Sequence, residues 1–101
     1  MRAQTTEKRR APTPTKSQLR DKTIRLRVRQ LIDNGRLPAV IPKRILAGYG
    51  AGDLCTACGQ PITNTQVVYD IEDDRCHGRP IFHMRCHALL QLECAMRAEL
   101  N

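Results

Sequence analysis

The spacing of apolar residues divides the chain into stretches of different character. Ile24, Val28, Leu31 and Ile32 fall within a ~100° arc of a helical wheel, a core-facing stripe. Ser17 stands ahead of it as a candidate N-cap and Gly35 just beyond it as a stop, which predicts a helix over 18–34. Ile24-Arg25-Leu26-Arg27-Val28-Arg29 also alternates strictly, a strand pattern; continuation of the stripe through Leu31 and Ile32 favours the helix. Leu19 and Leu26 would then face away from the core. Further on, Val67, Tyr69 and Ile71 alternate with Val68, Asp70 and Glu72, as in a half-buried strand. Asp73 to Gly78 reads as a turn and Pro80-Ile81-Phe82 as a short returning strand. From His83 to Leu100 there is no Gly or Pro and an abundance of Ala, Leu, Glu and Met, so a second helix is expected.

The remaining stretches lack such periodicity. Residues 1–16 are mostly Thr, Pro, Lys and Arg, and read as a disordered basic tail. Residues 36–54 read as a connector, extended at Leu37-Pro38 and Ile41-Pro42, with Pro42 opening a short helical turn. Gly48-Tyr49-Gly50-Ala51-Gly52 reads as a glycine-rich bend, without the Gly-Lys-Ser/Thr ending of a phosphate loop. Leu37, Val40, Ile41, Ile45 and Leu46 are expected to pack the first helix onto the C-terminal half of the chain. Expected boundaries are therefore a tail at 1–16, a basic helix and connector at 17–52, and a second unit at 53–101.

Four residues in that unit carry specific chemistry. Cys55 and Cys58 form C-x2-C; after 24 residues, His83 and Cys86 form H-x2-C. Three thiolates and one imidazole at this spacing suit one tetrahedral Zn²⁺. The first pair can wrap the ion in a turn closed by Gly59, and the second can sit on the first turn of the C-terminal helix. Disulfides are disfavoured because the first ten residues lack the apolar core of a secretory leader. A redox pair is disfavoured by the lack of a βαβ pattern. Cys76, His77, His87 and Cys94 are alternative ligands: Cys76-His77 falls in the hairpin turn, His87 is expected beside the site or on the surface, and Cys94 in the core. A knuckle, a β-hairpin and a helix sharing one zinc make a treble clef, so the expected class is α+β: a zinc-stapled treble clef preceded by a basic helix and tail.

Cys55-x2-Cys58-Gly59-Gln60-Pro61-Ile62 with His83-x2-Cys86 resembles one zinc module of a LIM domain, over about a third of the chain. The gap is slightly longer than in that family and no second module follows. The chain is also similar to small bacterial zinc-binding proteins with a Gly-x-Leu-Pro segment before such a module, here Gly35-Arg36-Leu37-Pro38. The LIM resemblance implies protein–protein interaction. Cys86-His87 echoes the Cys-His step of HNH nucleases, but the Asp-His element they need is absent, since Asp70 has no adjacent histidine.

Charge adds a further possibility. Residues 1–44 hold 13 Lys or Arg against Glu7, Asp21 and Asp33, a net of +10; residues 45–101 hold four Arg against seven acids, a net of −3. A basic N-terminal region can bind nucleic-acid phosphates, with Lys8, Arg9, Arg10, Arg25, Arg27 and Arg29 as candidates. The three aromatic residues do not interleave the basic run, which disfavours single-strand stacking. The expected protein is non-enzymatic, cytoplasmic and bacterial, with no membrane span. It carries one structural zinc and regulates through nucleic acid or, alternatively, acts as an adaptor for a protein partner.

Overall fold

The computed structural model describes residues 15–40, 44–73 and 78–100. These form an α+β arrangement of α1 (Lys16–Asp33), β1 (Arg44–Tyr49), β2 (Val67–Glu72), β3 (Ile81–His83) and α2 (Met84–Leu100). Among the described residues no helix is long and apolar enough to cross a membrane.

The ambiguous alternating run is helical, with Ile24, Val28, Leu31 and Ile32 buried along α1. Its cap is Thr15 rather than Ser17. The Thr15 hydroxyl accepts from the Gln18 amide at 3.1 Å, and the Gln18 side chain accepts from the Thr15 amide at 2.8 Å. This reciprocal capping box satisfies two N-terminal donors at once, which Ser17 inside the first turn could not do. Lys16 therefore belongs to α1; the rest of the expected tail, residues 1–14, lies outside the described residues. Gly35 ends the helix at φ 83°, its amide donating back to the Ile32 carbonyl at 3.1 Å. Leu19 and Leu26 are exposed, at 52% and 50%.

The connector differs from expectation. Arg44–Tyr49 is a strand, antiparallel to β2 along its whole length, from Arg44 opposite Glu72 to Tyr49 opposite Val67. Gly48 and Tyr49 thus belong to β1, and the bend begins at Gly50. There the chain crosses so close to the next segment that a Cβ would lie 2.2 Å from the Ile62 carbonyl oxygen. Leu37 is buried as expected and Ile45 is half-buried, but Val40 and Leu46 are largely exposed; Ile41 and Pro42 lie outside the described residues. The β2–β3 hairpin completes a sheet of order β1-β2-β3.

Helix α2 is the central element, contacting β2, β3 and α1. Its buried side chains, Cys86, His87, Leu90, Glu93 and Cys94, follow the i, i+4, i+7, i+8 spacing of one face. Phe82, Ile62, Ile71, Leu90 and Val28 are the largest fully buried side chains and form one cluster with the cysteines at 55, 86 and 94. Three ion pairs join the helices: Asp21 to Arg85, Arg29 to Glu93 at 2.9 Å, and Asp33 to Arg97 at 2.9 Å. Each spans the same 64 positions, so α1 and α2 run parallel, side by side. Glu93 is only 5% exposed and also accepts from Arg97 at 3.0 Å. Burial pushes its carboxyl up, but the hydrogen bonds from Arg29 and Arg97 outweigh that and hold it below its ordinary value.

Glu93→Ala leaves Arg29 without its partner and Arg97 with Asp33 alone, and should cost about 1–3 kcal/mol in urea denaturation. The folded carboxyl titrates below the unfolded one, so its stabilisation is full above about pH 5 and fades as pH falls through the carboxyl range. The gap between wild type and variant should narrow accordingly. Gly50→Ala must displace the 62–63 backbone and should cost about 1–3 kcal/mol by the same measurement.

Candidate metal centre

Cys55 and Cys58 sit on a loop closed at its base by antiparallel pairing of Leu54 with Pro61. The Cys55 amide donates to the Gln60 carbonyl and the Gly59 amide to the Cys55 carbonyl, both at 2.9 Å. Gly59 takes φ 75°, which a side chain would disfavour. The loop is fastened to β3 through Thr56: its amide donates to the Ile81 carbonyl at 2.8 Å, and its hydroxyl accepts from the Ile81 amide at 3.1 Å. β3 runs directly into α2, so His83 ends the strand while Cys86 lies on the first turn of the helix.

The ligand atoms of Cys55, Cys58, His83 and Cys86 all lie within 4.8 Å of one another. A tetrahedral Zn²⁺ with Zn–S near 2.3 Å would place its sulfurs about 3.8 Å apart, so the donors fit with only small adjustment. The imidazole is oriented for the task. Its Nε2 lies 3.1 Å from the Pro61 carbonyl and its Nδ1 3.3 Å from the Cys58 sulfur. Nε2 carries the proton and donates to Pro61, which leaves the Nδ1 lone pair toward the thiols. These four residues could hold one metal ion, and a donor set of three thiols and one imidazole is consistent with zinc.

The electrostatics favour thiolate formation at one sulfur. A hydrogen bond from the Cys86 thiol, together with backbone hydrogen bonds from Cys58, His83 and Ala57, pulls Cys55 well below the ordinary thiol range despite its burial. Cys86 moves up as the proton-holding partner of Cys55, and burial pushes Cys58 up. A divalent cation would replace those protons and lower all three together.

Of the alternative ligands, Cys94 is buried in the core, where its thiol points to the Pro38 carbonyl at 3.8 Å. His87 is not on the surface: it is 6% exposed, its ring centroid 4.7 Å from that of Tyr69. Burial lowers its pKa, favouring the neutral ring. Cys76 and His77 lie outside the described residues.

The candidate phosphate contacts are dispersed. Lys8, Arg9 and Arg10 lie outside the described residues. Arg29 is held by Glu93. Arg25 is half-buried and donates to the Met96 sulfur at 3.4 Å. Arg27 is exposed and has no side-chain partner among the described residues. Arg20 and Arg36, which the alternating pattern does not single out, are likewise exposed and unpaired among the described residues. Nothing in the sequence marks them out, since Asp21 adjoins Arg20 and Asp33 lies three residues before Arg36. No protein-family model, curated protein or solved structure matches the chain.

Removing the metal should collapse more than the ligand loop, because Cys55 and Cys86 belong to the same core as Ile24 and Val28 of α1. Structural zinc contributes on the order of 10 kcal/mol in comparable modules. A strong chelator should therefore abolish most far-UV ellipticity, and an unchanged spectrum would refute this dependence. Zinc release should give one equivalent per chain in the wild type, His87→Ala and Cys94→Ala, and far less in Cys86→Ser.

Proposed function

We propose that this is a small structural-zinc protein that associates with nucleic acid through its basic N-terminal region in a regulatory role. The loop carrying Cys55 and Cys58, the β2–β3 hairpin and α2 are read as a treble clef resembling a LIM zinc module. Bound zinc would act as a cross-link: with four protein ligands the site keeps no position for a substrate or a reactive water. The protein is accordingly read as non-enzymatic, and as bacterial and cytoplasmic.

The observation that carries the nucleic-acid reading is the division of charge, +10 over residues 1–44 against −3 over residues 45–101. Within α1 the ion pairs to α2 occupy Arg29, while Arg20 and Arg27 remain exposed. A second reading, an adaptor for a protein partner, is favoured by the exposed Leu19 and Leu26 on α1.

Duplex-DNA binding of the zinc-loaded chain across a salt series, with and without residues 1–14, separates the two readings. The deletion stops at 14 to keep the Thr15 cap. The expected outcome is that the shortened protein still binds, with a salt slope reduced by about 0.9 for each phosphate that residues 1–14 neutralise in the full chain. Sequence-blind binding that vanishes with residues 1–14 would reduce the basic segment to a polyanion anchor and favour the adaptor.

A further inference from the structure

Arg20, Ile24, Arg27 and Leu31 recur at helical spacing along one side of α1 and border two adjoining concavities. Arg27 and Thr56 border both. We propose that the second concavity, lined by Arg27, Leu31, Arg36, Thr56, Arg79 and Pro80, is a phosphate-binding site whose principal ligands are Arg27 and Arg36. Where the phosphate belongs to a nucleic-acid strand, this rests on the function proposed above. Where it is a free phosphate or a small phosphate ester, the site stands without that function.

Three arginines reach this concavity from three separate segments: α1, the turn after it, and the approach to β3. Among the described residues no acidic side chain lines it. Convergence of like charges is unfavourable unless an anion or solvent compensates them. Arg29 and Arg85 each have one carboxylate and Arg97 has two, whereas Arg20, on the same side of α1, is unpaired among the described residues like Arg27. Arg27 and Arg36 have neither an ion pair nor a side-chain hydrogen bond among the described residues. Arg79 has a lesser role, because Asp70 at 3.1 Å and Glu72 at 3.3 Å already hold it.

Two further features suit an oxyanion. The Thr56 hydroxyl accepts from the Ile81 amide, so its own proton remains available to a ligand on a loop fixed by Cys55. The volume, about 430 Å³, far exceeds one water molecule and admits a phosphate with part of its hydration or an attached ester group. Planar guanidinium groups pair with phosphate oxygens two at a time, which gives this arrangement its preference over a singly coordinating anion.

The test uses the zinc-loaded full chain, with inorganic phosphate, a nucleoside monophosphate and a short DNA duplex as probes at constant ionic strength. NMR reads the arginine Nε–H and backbone amide signals. Two variants of equal charge loss are compared: R27Q/R36Q and K16Q/K22Q, the latter at exposed α1 positions bordering neither concavity. Saturable shifts at Arg27, Arg36 and Thr56 are expected with phosphate. R27Q/R36Q should weaken that binding about tenfold or more, and K16Q/K22Q less than about twofold.

If duplex affinity also falls further in R27Q/R36Q than in the control, the phosphate bound is that of a nucleic acid. If phosphate and monophosphate depend on the two arginines but the duplex does not, the site stands as one for small phosphate compounds. Absence of saturable shifts, or equal weakening in both variants, overturns the site. Duplex binding that persists in that case would leave the nucleic-acid function resting on distributed charge alone.

Discussion

Convergence of three thiols and one imidazole is the constraint on which the rest of the molecule depends. The apolar groups that could hold the chain without it are few: Phe82 is the one fully buried aromatic ring among the described residues, accompanied by Ile62, Ile71, Leu90 and Val28. Cys55 and Cys86 occupy positions in that same cluster. Without a cation they are buried polar groups sharing protons; with one they become cross-links. The same two bonds at Thr56 that tie the ligand loop to β3 also fix the start of α2, since β3 enters the helix without a loop. Ligand geometry, sheet and central helix are therefore a single mechanical unit. A chain of this size has little other means of stabilising them.

Much of this was legible in the sequence, for identifiable reasons. Metal ligands must be close in space, and two of the three intervals between them are short in sequence, so C-x2-C and H-x2-C survive as local patterns. Helix α1 was legible because its stripe outlasted the competing alternation. Its true start was also visible, in Thr15-x-x-Gln18, although Ser17 is the more conspicuous candidate. β1 was not legible. It lies at the sheet edge with five of its six residues exposed, so burial imposes no alternation, and Gly48 suggests a bend rather than a strand.

The role of each arginine was the least legible part. An exposed cation and an ion-paired one look identical in a helical wheel when the partner is 64 residues away. Arg25, Arg27 and Arg29 are equivalent in the alternating pattern. In the fold one meets a sulfur, one is unpaired among the described residues, and one is held by a buried carboxylate. Net charge measures only the excess of cations over anions. Only the tertiary arrangement decides which can meet a phosphate.

The constant offset also bears on how the helices find their orientation. Parallel neighbours place their dipoles side by side in the less favourable sense, and the intervening chain must return the length of a helix. The sheet and ligand loop make that return between Asn34 and His83. Along α1 the charges run minus, plus, minus at 21, 29 and 33; along α2 they run plus, minus, plus at 85, 93 and 97. Both intervals are eight and then four residues, so the charges stay near one face of each helix and coincide only when the helices are parallel and in this register. Reversing α1 would keep the order of signs but set an interval of eight against one of four. Exposed ion pairs contribute little to stability individually, and a buried one less than its Coulomb attraction suggests. Three in an asymmetric spacing, with Glu93 at the buried point, act chiefly by making the wrong register costly.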